Sequence, residues 1–216
     1  MAKAFCRKSV VPTTYALSTD GINNRVDFTS DDGFRFTDTQ KISIIVETCP
    51  GDVSAALAAI LANRGSFTSS NNFFFGHNND GKIYFAYYGL TATHEWTSTN
   101  IVLANGVWAN IEFHYNFGTP DSLTLTINGS PVLGSWTGGT GDQINSAVFT
   151  KPNIAAAHDG GLSVNYKGLY RNRLILRKSN VALADWNMGF GAGSVLPDDS
   201  GNNRNGTIVG ATWVEV

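Results

Sequence analysis

Residues 107–129 read VWANIEFHYNFGTPDSLTLTING. Positions 107–115 alternate strictly: Val107, Ala109, Ile111, Phe113 and Tyr115 share one face, and Trp108, Asn110, Glu112 and His114 share the other. A period of two is the signature of a strand with one buried and one wet face. Residues 123–127 (LTLTI) then run into Asn128-Gly129, with Pro131-Val132-Leu133 beyond. Asn-Gly accepts the positive φ angles of a tight hairpin turn, so this is the strongest hairpin signal in the chain.

The same grammar extends in both directions. Residues 41–47 (KISIIVE) are β-branched and nearly continuous, the pattern of a strand buried on both faces. Phe73-Phe74-Phe75 and residues 82–88 (KIYFAYY) flank the turn HNNDG at 77–81. Residues 169–176 (LYRNRLIL) alternate, with Arg171 and Arg173 on the polar side. One segment is ambiguous. Residues 52–63 (DVSAALAAILAN) carry a helix-like Ala/Leu content after a capping Asp52, in a neighbourhood of strands. The expectation is a short helical turn near Asp52 and a strand nearer Ile60. Residues 134–143 (GSWTGGTGDQ) read as a surface loop.

Composition agrees with a globular all-β chain. Of 216 residues, 42% are hydrophobic and 12% aromatic, and 23 are glycine, which suits many short strands joined by tight turns. Only 15% are charged and the net charge is −2, so no basic field exists to gather nucleic acid or an anionic membrane surface. No apolar run approaches the roughly 18 residues of a membrane span. The N-terminus, MAKAFCRKSV, has basic residues without an apolar stretch behind them, and no secretory signal is expected. Residues 1–14 read as an N-terminal arm and 15–216 as one domain. Cys6 and Cys49 do not make a framework, and whether they pair is open.

Chemistry is sparse. Glycanases need two carboxylates flanking one bond, and on a strand that means acids at alternate positions. Glu occurs at 47, 95, 112 and 215, none with another acid two residues away. Glu112, His114, Trp108 and Asn110 do share a face, but a polar outer sheet face accounts for them. No catalytic residue is assigned. His77, His94, His114 and His158 are scattered without zinc spacing. In the tail, residues 196–213 read LPDDSGNNRNGTIVGATW. Asp198, Ser200 and Asn202 alternate like the opening of an EF-hand loop, yet Asn203 stands at its sixth position and Val209 at its twelfth, which excludes that motif. Asp198 and Asn202, with Asp20 from another loop, remain candidate ligands for calcium. Asx side chains capping their own turns explain the same residues. Aromatic rings beside polar loops suit sugar binding, which makes Trp136, Trp96, Tyr87 and Tyr88 the candidate carbohydrate contacts.

The order of these motifs resembles the laminin-G-like domains of the concanavalin A-like jelly rolls. Residues 16–28 (ALSTDGINNRVDF) are similar to the family's opening strand. Gly106-Val107-Trp108 with Ile111-Glu112-Phe113 resembles its Trp-bearing strand, and residues 123–129 its L-x-L-x-x-N-G hairpin. Asp198-x-Ser200-Gly201-Asn202 with Gly206 resembles its D-x-S-G-N turn, although here that turn closes the chain. The resemblance implies an all-β antiparallel two-sheet β-sandwich, with one rim calcium in some relatives. It also implies that the last strand, residues 207–213, pairs close to the first strand around Ala16. A short chain of this kind is similar to virion proteins of tailed bacteriophages. That likeness implies a non-enzymatic capsid-decoration or tail component, made in the host cytoplasm and located in the virion. Its partners would be other virion proteins, further copies of itself and surface glycans. The alternative is a free carbohydrate-binding, lectin-like module, and a glycoside hydrolase ranks below both.

Overall fold

The computed structural model describes residues 13–29, 31–37, 39–63, 73–89, 92–138, 152–159 and 162–216. Most of the proposed arm, Cys6 with it, lies outside the described residues. In chain order the strands are β1 (Tyr15–Asp20), β2 (Arg25–Asp27), β3 (Lys41–Pro50), β4 (Leu57–Asn63), β5 (Phe73–Asn78), β6 (Ile83–Tyr88), β7 (Thr93–Ser98), β8 (Ala109–Asn116), β9 (Thr124–Ile127) and β10 (Ser130–Pro131). They continue with β11 (Gly134–Thr137), β12 (Pro152–Ile154), β13 (His158–Asp159), β14 (Leu162–Ser163), β15 (Lys167–Lys178), β16 (Val181–Asn187), β17 (Val195–Leu196), β18 (Gly206–Val209) and β19 (Thr212–Glu215). The helical elements among the described residues are two 3-10 turns, Asp32–Phe34 and Pro120–Ser122.

An eight-stranded sheet runs β10-β9-β8-β3-β15-β1-β19, with β16 also paired to β15. A nine-stranded sheet runs β11-β7-β6-β5-β4-β12-β2-β18-β17, and β13-β14 form a separate hairpin. All of these strand pairings are antiparallel. The expected all-β two-sheet sandwich is therefore present. Its core is where the two sheets meet: Phe113 of β8 touches Phe75 and Phe85 of the opposite sheet at ring separations of 5.0 and 4.7 Å. Such tilted aromatic pairs add roughly 0.5–1.5 kcal/mol each beyond area burial.

The alternation holds over 109–115, where Ala109, Ile111, Phe113 and Tyr115 are buried and Asn110 and Glu112 are exposed, but Val107 precedes the strand and is 54% exposed. The run Phe73-Phe74-Phe75 is buried throughout because the outer face of its sheet is covered as well. There Phe74 joins Ala59, Ala62, Ala86 and Ala157 in a second apolar cluster.

Three local expectations need correction. Residues 51–56 form bends rather than a helical turn. The Asp52 carboxylate caps Ser54 N and Oγ, and Val53 N donates to Asn105 Oδ1, so no helical ladder starts. Residues 134–137 are strand β11 rather than loop. Trp136 pairs across from Trp96 and turns its ring into the core, which pays for ordering the backbone. The tail is two strands where one was expected. β18 pairs with β2 in the nine-stranded sheet, and β19 pairs with β1 in the other, Ala16 facing Val214. Gly210, at φ +72°, makes the crossing between sheets.

Candidate functional site

The outer face of the eight-stranded sheet carries the most polar chemistry. Register places Ser43 of β3 opposite His114 of β8. Ser43 Oγ lies 2.7 Å from His114 Nδ1, and His114 Nε2 lies 3.0 Å from Glu112 Oε1. A hydroxyl, an imidazole and a carboxylate in series have the connectivity of a nucleophile and its base. The surroundings do not support that chemistry. Ser43 is 1% exposed, and the strands beside it spend their backbone N–H groups on the sheet ladder, leaving no donors for an oxyanion.

Two rows further along β3, Glu47 accepts from Arg171 Nε at 2.8 Å and from Nη2 at 2.5 Å, and also from the Asn172 amide. The Arg171 guanidinium lies 4.0 Å from the Trp108 ring centroid and covers one face of that indole. Asn172 sits at φ +58° where the β15–β3 register slips. Arg173 pairs with Asp185 and Asp199. The charged groups of this face are thus committed to one another, as expected of a structural polar face.

The four aromatics expected in loops all sit on strands. Trp96 of β7 is 3% exposed and Tyr87 of β6 is 0% exposed; both rings are core. Tyr87 stacks on His94 at 4.8 Å and meets the Tyr115 hydroxyl at 3.1 Å. Trp136 is half-buried against Tyr115, with rings 5.1 Å apart, and its indole N–H donates to Pro120 O. Tyr88 is half-buried on the opposite face of β6 from Tyr87. A ring inside the sandwich offers no face to a sugar, so Trp96 and Tyr87 act as packing groups.

The tail acids are turn chemistry. Asp198 Oδ1 accepts from Asp185 N and Ser200 N; Oδ2 accepts from Ser200 Oγ and Arg204 N, at 2.9–3.0 Å. Burial opposes ionisation, but these bonds outweigh it and hold the carboxyl below its usual range. The Asn202 amide donates to Ala182 O and Leu183 O. Asp20 is remote from both. It faces Lys167 at one end of β15, whereas Asp185, which contacts Asp198, faces Ile175. Eight residues of strand separate those rows, roughly 26 Å at about 3.3 Å per residue. The expected grouping of Asp20 with Asp198 and Asn202 does not form, and no cluster of three or more His, Cys, Asp or Glu occurs among the described residues.

Asp20 instead lines a cleft at the sandwich rim. The cleft measures about 250 Å³ and is walled by Asp20, Ile22, Asp52, Asn165 and Lys167, with Gly21 and Ala55. Asp20 Oδ1 caps the following loop, accepting from Ile22 N at 2.8 Å and from Asn23 N and Asn24 N at 3.1 Å. The Ile22 bond in particular keeps that carboxyl below its ordinary value. Asn165 Nδ2 donates to Ile22 O and holds the loop from the other side. Ile22 is thereby left 66% exposed at the mouth. Gly21 is required at φ +76°, because a Cβ there would stand 2.7 Å from the Lys167 Cβ. Asp52, Asn165 and Lys167 were not legible as site residues. Asp52 lies far in sequence from Asn165 and Lys167, and they meet at Asp20 through the β1–β15 register and the bond from Gly51 N to Lys167 O.

No protein-family model matches the chain, and no curated protein matches it in sequence. Its structure is similar to that of a proposed carbohydrate-binding protein from Bacteroides ovatus ATCC 8483, at a TM-score of 0.58 and 13% identity, over 95% of this chain and 61% of that one. It is also similar to a native heptameric SAP-like pentraxin from Limulus polyphemus, at a TM-score of 0.51 and 15% identity, over 76% of this chain and 75% of that one. The chain shares their lectin-like jelly-roll fold. Identities this low establish the fold alone, and the chain spans 61% of the length of the Bacteroides protein. In this jelly roll, the rim cleft is the concave site where loops from β1, β3 and β15 converge.

Proposed function

We propose that the protein is a carbohydrate-binding, lectin-like module that binds without chemical turnover, and that the rim cleft receives the sugar. The observation that carries this reading is the lining of that cleft. Two carboxylates, an amide and an ammonium offer acceptors and donors to sugar hydroxyls, beside the exposed apolar surface of Ile22. The volume of about 250 Å³ lies below the roughly 300–1,000 Å³ of drug-sized ligand sites and suits a single sugar unit. The likeness to a proposed carbohydrate-binding protein is consistent with it.

The virion role and virion location expected from the sequence gain no support from the fold or from these similar structures, so the lectin-like alternative takes precedence. A finer relation to laminin-G-like domains rests on the order of sequence motifs.

The test is a glycan array followed by calorimetry on the wild type and on Ile22→Asp and Asp52→Asn. A retained glycan whose affinity drops at least tenfold in both variants, with unchanged circular dichroism, supports the assignment. An array without any hit, or variants that bind as the wild type does, overturns it.

A further inference from the structure

At the end of the sandwich away from the Asp20–Lys167 row, a second pocket of about 240 Å³ is walled by Lys178, Val181, Ala182, Leu183, Asn202 and Arg204. Its base is built from two cations lying over two aromatic rings. The Lys178 ammonium stands 5.5 Å from the Phe36 ring centroid, and the Arg204 guanidinium 5.2 Å from that of Phe34. Lys178 Nζ donates to Gly33 O at 3.2 Å and to Arg35 O. An ammonium has three hydrogens, so one is left over. No carboxylate stands within ion-pair distance of Lys178 among the described residues. Arg204 gives Nε to Asp31 at 2.6 Å and Nη1 to Leu183 O at 2.8 Å, which leaves Nη2 without an acceptor among the described residues.

The cations around this pocket are not equally paired. Arg204 pairs with Asp31 and Arg35 with Asp32, which leaves Lys178 as the cation here without an ion-pair partner among the described residues. The nearby Asp198 carboxylate is taken up by the donors of its own turn. Burial, then the neighbouring Arg204, holds the Lys178 ammonium below its ordinary range, so a bound anion would relieve both costs. Val181, 70% exposed, adds an apolar lip at the mouth.

We propose that this pocket is an anion subsite that takes the carboxylate of an acidic sugar, with the carboxylate between Lys178 and Arg204 and the ring against Val181. One ammonium without an ion-pair partner matches a monoanion. The apolar lip matches the C–H face of a sugar. The sugar part of the assignment rests on the carbohydrate reading; the anion part rests on the pocket alone.

The experiment is a titration of the isotope-labelled protein with glucuronate, glucose and acetate, followed by amide NMR. Amides of residues 181–183 and 202–204 report on this pocket, and those of Ile22 and Lys167 report on the rim cleft. Saturable shifts at the first group with glucuronate, small shifts with glucose and weaker binding of acetate support the proposal. Val181→Glu, which sets a carboxylate at the mouth without touching the Lys178 or Arg204 contacts, is expected to weaken glucuronate binding at least tenfold. Raising the salt concentration weakens it as well. Silence of the pocket amides with glucuronate, equal shifts with glucose, acetate binding as tight as glucuronate, or an unaffected Val181→Glu variant each overturns it. A rim cleft that stays silent with every sugar counts against the proposed function and leaves the pocket result standing.

Discussion

The Thr48 hydroxyl lies 2.7 Å from the Tyr166 hydroxyl inside the core, between residues 118 positions apart in the chain. Thr48 Oγ1 also donates to Leu169 O at 2.8 Å, so the tyrosine supplies the hydrogen between the two hydroxyls. Burial pushes the Tyr166 hydroxyl well above its ordinary pKa and keeps it a donor. The two deletions should therefore differ. Tyr166→Phe removes one bond and leaves Thr48 satisfied, at a cost of about 1 kcal/mol. Thr48→Val leaves a buried tyrosine hydroxyl and a carbonyl without this partner, at a cost of about 2–3 kcal/mol. Urea unfolding of both variants checks the order, and equal costs would contradict this wiring.

Trp96 and Trp136 face each other across the β7–β11 pair but differ in burial. Trp96→Ala empties a core position and is expected to cost about 3–5 kcal/mol. Trp136→Ala opens the half-buried edge beside Tyr115 and is expected to cost about 2–3 kcal/mol, because part of that ring is already wet. Neither change should alter intrinsic glycan affinity once measured well below the melting temperature. A Trp136→Ala variant of full stability that has lost a glycan would return that residue to the role its neighbours in sequence suggested.

Gly76 sits mid-strand in β5, where a Cβ would overlap the Ala58 carbonyl oxygen of the adjacent strand. The obstacle is backbone, which cannot move aside without breaking the β4–β5 pairing. Gly76→Ala should destabilise by about 2–4 kcal/mol, whereas Gly129→Ala, which meets no atom within 4 Å, should lose only the strain of its φ of +77°. Thermal unfolding of the two variants side by side separates close approach from backbone strain.

His77 is fully buried against Tyr166, with ring centroids 5.7 Å apart and Nδ1 bonded to Asn78 O. Burial lowers its pKa from the ordinary 6.5, only partly offset by the Asn78 bond and by Asp52. The folded state then binds fewer protons than the unfolded state. Stability from this group is complete above about pH 6.5 and declines as the pH falls toward the lower folded value. His77→Gln should flatten the stability profile below about pH 6.5. An unchanged slope in urea titrations across that window would place the acid sensitivity elsewhere.

The strands were legible because each rests on a local pattern. The alternation at Ala109–Asn116 and the β-branched run starting at Lys41 carry their burial in the order of their side chains. Asn128 at φ +52° and Gly129 at φ +77° show the expected turn geometry. Asp198, singled out as a candidate calcium ligand, ties a turn to Asp185 and Arg204. Trp96 and Trp136 misled because short polar neighbours look like a loop whether a strand lies at the surface or closes the edge of a core. Only the opposing sheet decides which.

The sequence by itself thus determined an all-β chain, its principal strands and its hairpin turns, because those depend on contacts a few residues apart. The tertiary structure alone decided the division of the tail between two sheets at Gly210 and the separation of Asp20 from Asp198. It alone also gathered Asp52, Asn165 and Lys167 around Asp20, and Lys178 beside Arg204. Those groupings follow from which strand lies beside which. That pairing is set by burying apolar faces of strands far apart in the chain, and no short window of sequence records it.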